Sequence, residues 1–248
     1  MIRAIILAAG RGSRMGALTR DRPKCLVEFA GKSLLERQTA ALRAGGIETI
    51  AAVRGYRGDR LEGRGLVLFD NPDWASSNMV MSLARAAAWL GAGPCLVSYA
   101  DIFYPAAAVA ALAAAAGDIV LAYDRDWLSL WRRRFADPLT DAESFRLDGS
   151  GRVLEIGRRA KALAEIQGQY MGLLKFTPAG WHAVEAALGD LDDAGRRRLD
   201  MTGLLDRLIG RGQSVMALAV AGPWGEVDSE SDLALYESMA AAGALPSL

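Results

Sequence analysis

The chain has 248 residues, enough for one large α/β domain with a sizeable core. Its 29 Lys and Arg balance 29 Asp and Glu, and a protein that lives on nucleic acid is normally basic, so nucleic acid is not an expected partner. Cys25 and Cys95 make no disulfide framework and point to a reducing compartment, and the alanine-rich run 106–116 is too short to span a bilayer, so a cytoplasmic protein without a membrane segment is expected.

The chain opens on Ile5-Ile6-Leu7, a short apolar run that reads as a buried strand with no room before it for a secretory leader. Leu7 to Lys24 follows, in which Gly10, Gly12 and Gly16 are interleaved with Arg11 and Arg14, and Lys24 comes after Pro23. Glycines let backbone N–H groups approach an anion closely and adopt positive φ, while the arginines and the lysine add charge-assisted donors. A strand ending in such a loop suits a ligand with several phosphates. It is not a Walker A loop, which ends in Gly-Lys-Ser/Thr, nor a dinucleotide fingerprint, whose third glycine would fall on Met15. What the stretch resembles is the signature of the nucleotidyltransferases that activate phosphorylated small molecules: Leu7-Ala8-Ala9-Gly10-Arg11-Gly12-Ser13-Arg14-Met15, then Thr19, then Pro23-Lys24.

Beyond Lys24, Gly31-Lys32 marks a turn, and Ser33 caps a helix over 34–44 that stops at Gly45-Gly46. Strands are predicted over 47–53 and 66–69. Asn71 leaves the second of these, and a helix over 80–90 follows Asn78, which with Ser82 either reads a base or ribose or simply caps the helix. A fourth strand, 94–98, runs into Ala100-Asp101; a helix over the alanine run and a fifth strand over 118–123 come next. The segment from Asp124 to Glu143 is unlike the rest, with its acids, Trp127, Trp131 and the Arg132-Arg133-Arg134 run, and reads as an excursion over the mouth of the site. A hairpin over 143–147 and 152–156 turns at Asp148-Gly149-Ser150-Gly151. A strand over 172–176, helices over 178–188 and 201–211, a strand over 215–220 and a last helix over 230–242 complete the chain. This rhythm predicts an α/β fold: a Rossmann-like, doubly wound mixed sheet, mostly parallel, in one domain over 1–248 with a lid-like insertion at about 124–170. In such sheets ligands bind beyond the carboxyl ends of the strands, where the glycine loop lies.

Further features draw the resemblance toward the phosphocholine cytidylyltransferase branch of the sugar-phosphate nucleotidylyltransferase superfamily. They are Asn71-Pro72 with Asn78 and Ser82-Leu83, Asp126-Trp127 with Trp131, Glu143, Glu155-Ile156-Gly157, Gly168 to Leu173, and Glu226-Val227-Asp228 with Asp232-Leu233. Ala100 departs from the pattern, since relatives commonly place glycine before the metal aspartate. The resemblance implies a glycosyltransferase-A-like nucleotidyltransferase fold that moves CMP from CTP to a small phosphorylated alcohol or amine and releases pyrophosphate. It assigns the nucleotide to Leu7, Ala8, Ala9, Gly10, Arg11 and Gly12, together with Asn71, Asn78, Ser82 and Ala100. Arg14 and Lys24 then act on the phosphates. Asp101 and Asp228 are expected to hold Mg²⁺, the one cofactor implied, because magnesium prefers one or two carboxylates plus phosphate oxygens and water.

On the acceptor side, a quaternary ammonium needs aromatic faces with a carboxylate nearby. Asp124, Trp127, Trp131, Glu143 and Tyr170, with Tyr123, are the candidates, and the Arg132–Arg134 run either holds acceptor phosphate or is a solvated face. The only histidine, His182, is not needed as a base, because a phosphate monoester has its second pKa near ~6 and is mostly dianionic already. The partners expected are CTP and a phosphorylated acceptor, with neither nucleic acid nor membrane; a homodimer is allowed but not indicated. Two other readings stay open: a sugar-1-phosphate nucleotidylyltransferase using UTP or another NTP, and a non-catalytic nucleotide-binding regulator. The second aspartate disfavours the regulator, since a sensor has no use for it.

Overall fold

The strand at the N-terminus forms because both of its faces are covered. In β1 (Arg3–Ala8), Ala4, Ile6 and Ala8 pack into one layer and Ile5 and Leu7 into the other, so the run shows no polar alternation. The computed structural model describes residues 1–245. After the glycine loop, α1 (Leu34–Ala44) starts with a capping box: Ser33 Oγ accepts from the Glu36 amide and the Glu36 carboxylate accepts from the Ser33 amide, at 2.8 Å. β2 (Ile50–Arg54) and β3 (Val67–Asp70) follow, then two short helices, α2 (Met79–Ala84) and α3 (Ala87–Ala92), and β4 (Cys95–Tyr99). The single helix expected over 80–90 is thus broken at Arg85-Ala86, where the bonds tighten to Ser82 O and Leu83 O. The break keeps Val80, Leu83, Ala86 and Leu90 all in one core cluster.

The rest of the chain runs α4 (Ala106–Ala114), β5 (Ile119–Asp124), α5 (Trp127–Arg134), the antiparallel hairpin β6 (Glu143–Leu147) and β7 (Val153–Arg159), and β8 (Gln169–Phe176). It closes with α6 (Pro178–Gly189), α7 (Asp193–Arg198), α8 (Met201–Gly210), β9 (Val215–Ala219) and α9 (Glu230–Ala241). Seven strands form one sheet in the order β9-β5-β8-β4-β1-β2-β3. All neighbours are parallel except β8, which is antiparallel to both β4 and β5. α1 and α4 cover one face; α2, α3, α6 and α8 cover the other. The expected excursion is the run α5-β6-β7, whose hairpin packs Phe145 and Ile156 against Met201 and Leu204 of α8.

The chain moves outward from β1 through β2 and β3, then returns to β4 on the other side of β1. That reversal opens a crevice at the carboxyl ends of β1 and β4, the general location of ligands in such sheets. A third, smaller cluster closes the crevice's edge: Met15, Val27, Phe29, Phe103, Val227 and Tyr236 bring the glycine loop, the turn after β4 and α9 together. There Gly225-Glu226 pairs antiparallel with Ile102-Phe103. A Cβ on Gly225 would stand 2.5 Å from Tyr236 Cζ and 2.6 Å from Phe103 Cζ. Gly225→Ala should therefore lower stability by about 1–3 kcal/mol through overpacking, with the melting temperature falling roughly 2–4 °C per kcal/mol in a chain of this size. A thermal melt matching the parent would mean that the two rings yield freely.

Candidate active site

The glycine loop is held by its own small residues. Gly12 has a φ of 73°, and a Cβ on it would meet the Lys24 stem at 2.8–2.9 Å, so only glycine lets the loop close over that lysine. Thr19, fully buried, donates its hydroxyl to the Gly12 carbonyl at 3.0 Å. At Gly10 a Cβ would meet no atom within 4 Å, which leaves the backbone there open to a ligand.

The loop lines a cavity of about 300 Å³ together with Arg14, Lys24, Asn78, Ser82 and Ala100. A second cavity of about 230 Å³ adjoins it, and the two share Arg14, Met79 and Tyr99. The second is rich in acid: Asp141, Glu143, Asp200, Glu226 and Asp228 line it, with Tyr170 and Trp224 as its other aromatic walls. Its shape depends on Gly172, whose φ of 72° interrupts the β8 register and whose missing Cβ leaves room for the Tyr99 ring 2.8 Å away.

At the border, Asp101, Glu226 and Asp228 each turn a carboxylate oxygen to within 4.8 Å of the others. Lys24 Nζ donates to Asp101 Oδ2 at 2.7 Å and to Asp228 Oδ1, and Arg14 Nη2 donates to the same Asp228 oxygen at 3.0 Å. The Val227 amide donates to the Asp101 carbonyl at 2.9 Å, which fixes the two aspartate backbones relative to each other. Anion-binding amides, two cations and a carboxylate trio around one crevice suit a polyphosphate and its cation. Residues 4–156 match the family model of the MobA-like NTP transferase domain.

The chain belongs to that family. It is similar to the CTP:phosphoglutamine cytidylyltransferase of Campylobacter jejuni, 36% identical over 247 residues that cover 93% of this chain and 97% of the other. It is also similar to the 2-aminoethylphosphonate cytidylyltransferase of Lancefieldella rimae, 31% identical over 160 residues, 62% of this chain and 60% of that one. Among solved structures, the CTP:phosphocholine cytidylyltransferase of Streptococcus pneumoniae shares the fold, with a TM-score of 0.70 at 20% identity over 96% of this chain and 99% of that one. The mostly parallel sheet is thus that of known nucleotidyltransferases.

In this NTP transferase domain the residues expected at the nucleotide divide into two groups. Leu7, Ala8, Ala9, Gly10, Gly12, Arg14, Lys24, Asn78, Ser82, Ala100 and Asp101 all line the first cavity. Asn78 is there also as the cap of α2, its Oδ1 accepting from the Met79 amide at 2.7 Å. Arg11 and Asn71 are not part of the wall. Arg11 lies over the Tyr56 ring, 5.5 Å from its centroid. Asn71 is buried and donates to Ser82 Oγ at 2.9 Å and Ser77 Oγ at 3.2 Å, so it orients the wall from behind.

The residues expected on the acceptor side divide more sharply. Glu143 and Tyr170 line the second cavity, but Trp127 and Trp131 do not: they are 3% and 0% exposed and belong to the core cluster. Tyr123 is likewise buried, against Phe145. Asp124 also stays off the cavity wall and accepts from Trp224 Nε1 at 2.8 Å. Trp224 is the indole that reaches the cavity, with Trp131 behind it, ring centroids 5.8 Å apart. Among the wall residues that went unassigned in the sequence are Glu226, Trp224, Asp141 and Asp200. Glu226 and Trp224 stand two and four residues before Asp228, and that spacing was the available signal. The single histidine, His182, is exposed on α6, outside both cavity walls.

The donor set fits a hard divalent cation. All three groups are carboxylates, and Asp101 Oδ1 is buried without a hydrogen-bond partner, an oxygen left with nothing to bind. Burial works against the Lys24 ammonium, yet Asp101 and Asp228 outweigh it and raise its pKa above the usual lysine range. Burial, with Asp228 and Asp101 beside it, pushes the Glu226 carboxyl up to about 8. A cation would relieve that repulsion, and it would compete with Lys24 for the same oxygens. Lys24→Met should therefore lower the melting temperature without metal, regain it with Mg²⁺, and bind Mn²⁺ in the absence of nucleotide about tenfold more tightly, the equivalent of one charge-assisted bond removed from the competition. Weaker Mn²⁺ binding by this variant, read by titration calorimetry, would count against the competition.

Proposed function

We propose that the protein transfers CMP from CTP to a small phosphorylated acceptor whose other end is cationic, with release of pyrophosphate. The observation that carries this reading is the acid-lined second cavity, joined to the loop cavity at Arg14 and at the carboxylate cluster. The relatives' names support it: phosphoglutamine, 2-aminoethylphosphonate and phosphocholine each join a phosphorus acid to a nitrogen-bearing group.

The chemistry needs little from the side chains beyond position and charge. An oxygen of the acceptor's phosphate attacks the α-phosphorus of CTP, a new P–O bond forms there, and the bond to the bridging oxygen breaks, so pyrophosphate leaves with its electron pair. The attacking oxygen is already largely deprotonated, with a second phosphate pKa of about 6, so no base is required. The loop amides hold the β- and γ-phosphates, Arg14 stands where the two cavities meet, and Lys24 offsets the charge that grows on the α-phosphate. Asp101, Glu226 and Asp228 would hold Mg²⁺, which neutralises phosphate charge when bound. In the second cavity Asp141 and Glu143 face the acceptor's cation, and burial raises both carboxyls above their ordinary range, a cost that a bound ammonium relieves.

Three measurements test this. Lys24→Ala should lower turnover about 10²–10³-fold, as expected for one lost transition-state donor; near-parental turnover removes Lys24 from the reaction. With CTP fixed, phosphocholine, phosphoethanolamine and 2-aminoethylphosphonate should outcompete inositol phosphate and glucose-1-phosphate by tenfold or more. Asp141→Asn or Glu143→Gln should raise the KM for phosphoethanolamine, whose ammonium can donate to a carboxylate, about tenfold and leave the CTP KM unchanged, because a hydrogen bond to a charged group contributes about 1.5–3 kcal/mol. A neutral sugar phosphate winning that competition sinks the cationic acceptor.

A further inference from the structure

The Arg132–Arg134 run is not one face. Arg132 and Arg133 are exposed, while the Arg134 side chain is fully buried, turned inward from the last turn of α5. Its guanidinium spans two acids from a distant part of the chain. Nε and Nη2 donate to the two oxygens of Asp232, at 2.8 and 3.3 Å, and Nη1 donates to Glu226 Oε2 at 3.4 Å. The group lies over the rings of Trp131 and Phe135, 4.8 and 5.0 Å from their centroids.

Asp232 in turn holds the backbone of the carboxylate segment. Its Oδ2 accepts from the amides of Asp228 and Ser229, both at 3.0 Å, and from Ser229 Oγ at 2.9 Å. One arginine thus orients Glu226 directly and Asp228 through a single intervening carboxylate. On the same helix, one turn earlier, Trp131 Nε1 donates to Asp141 Oδ2 at 3.2 Å, on the wall of the acceptor cavity. α5 therefore touches both the cation cluster and the acceptor wall without lining the cluster itself.

We propose that Arg134 is a positioning residue: from the excursion it fixes the Glu226 and Asp228 carboxylates in the arrangement a divalent cation requires. Only a planar fork can serve Asp232 with two bonds and still reach Glu226, which a lysine's point charge cannot reproduce. A buried ion pair is a weak reason for stability alone, since a well-packed apolar residue often replaces one at no loss. What an apolar residue cannot replace is the hold on Glu226 and on the Asp232 that caps α9.

The inference rests on Asp101, Glu226 and Asp228 as a cation site. Its test is Mn²⁺ binding by calorimetry to the full-length parent, Arg134→Met and Arg134→Lys, alongside melting curves, the CTP KM and the Mg²⁺ concentration for half-maximal rate. Groups that orient metal ligands typically cost 10–100-fold in metal affinity when lost. Arg134→Met should then weaken Mn²⁺ binding by about tenfold or more and raise the Mg²⁺ requirement to match, with the CTP KM changed by less than about threefold; Arg134→Lys should restore only part. Parental Mn²⁺ affinity in folded Arg134→Met overturns the proposal, as does a Mn²⁺ loss accompanied by an equal loss of CTP binding. Should Arg134→Met fail to fold, parental affinity in Arg134→Lys overturns it equally. A parent protein that binds no Mn²⁺ removes the cation site and this inference with it, whereas a parent that binds Mn²⁺ normally beside a normal Arg134→Met leaves the cation site standing and removes only the role of Arg134.

Discussion

The ammonium of Lys24 lies between two carboxylates that stand 77 and 204 residues further along the chain. It joins the glycine loop, the end of β4 and the C-terminal segment at one point, and much else in the crevice follows from that junction. Gly12 has no side chain because Lys24's stem fills its space, and the Val227 amide clasps the Asp101 carbonyl so that both acids reach the same cation. The charges are compensated only in part. Asp101 and Asp228 face Lys24 and Arg14, while Arg134 is shared between Glu226 and Asp232. A divalent cation entering there would compete with those side chains for the same oxygens, and the negative charges of a polyphosphate would lessen that competition by offering Lys24 and Arg14 other partners.

The two cavities differ in the physics that shapes them. The loop cavity is made largely of backbone, with glycine and alanine keeping side chains out of the way of phosphates. The second cavity is made of side chains, many of them acids, whose burial is tolerable because indole and arginine partners satisfy them from behind. Trp131 donates to Asp141, and Arg134 neutralises Glu226. The excursion between β5 and β8 supplies both partners. Its buried Trp131 contributes by holding an acid of the wall, rather than by presenting its own face, and Trp127 packs edge-on against it.

Much of this was legible in the sequence, for identifiable reasons. The helix over 34–44 coincides with its prediction because Ser33 and Glu36 form a local capping box and Gly45-Gly46 stops it. The glycine loop announces itself because its chemistry is local, eighteen residues that fold around one lysine. The acids after β4 and near residue 228 were readable from the strands they follow. What escaped depended on non-local packing. Trp127 and Trp131 are four apart on a helix, a spacing equally suited to a ligand box or a core stripe, and nothing local tells the two apart. Successive residues of a helix point about 100° apart, so Arg134 turns inward while Arg132 and Arg133 stay out. The antiparallel direction of β8 is likewise invisible locally, since it follows from how the chain returns across the sheet after the hairpin. Glu226 sits in a two-residue ladder whose partner, Ile102, lies more than a hundred residues away.

The boundary of the family match divides the site unequally. Residues 4–156 hold the glycine loop, Lys24, Asp101, Arg134, Asp141 and Glu143. Asp200, Trp224, Glu226 and Asp228 come from the chain beyond it, and the crevice is incomplete without them. The first cavity therefore lies largely in the N-terminal strand and loop, where backbone geometry leaves few alternatives. The second is assembled from an excursion and a C-terminal segment, joined by the Arg134–Asp232 pair and the Trp131–Trp224 stack. The chain's relatives include cytidylyltransferases of phosphoglutamine and of 2-aminoethylphosphonate. A wall built from side chains of two distant segments is the part of such a crevice whose chemistry can differ without moving the backbone of the loop.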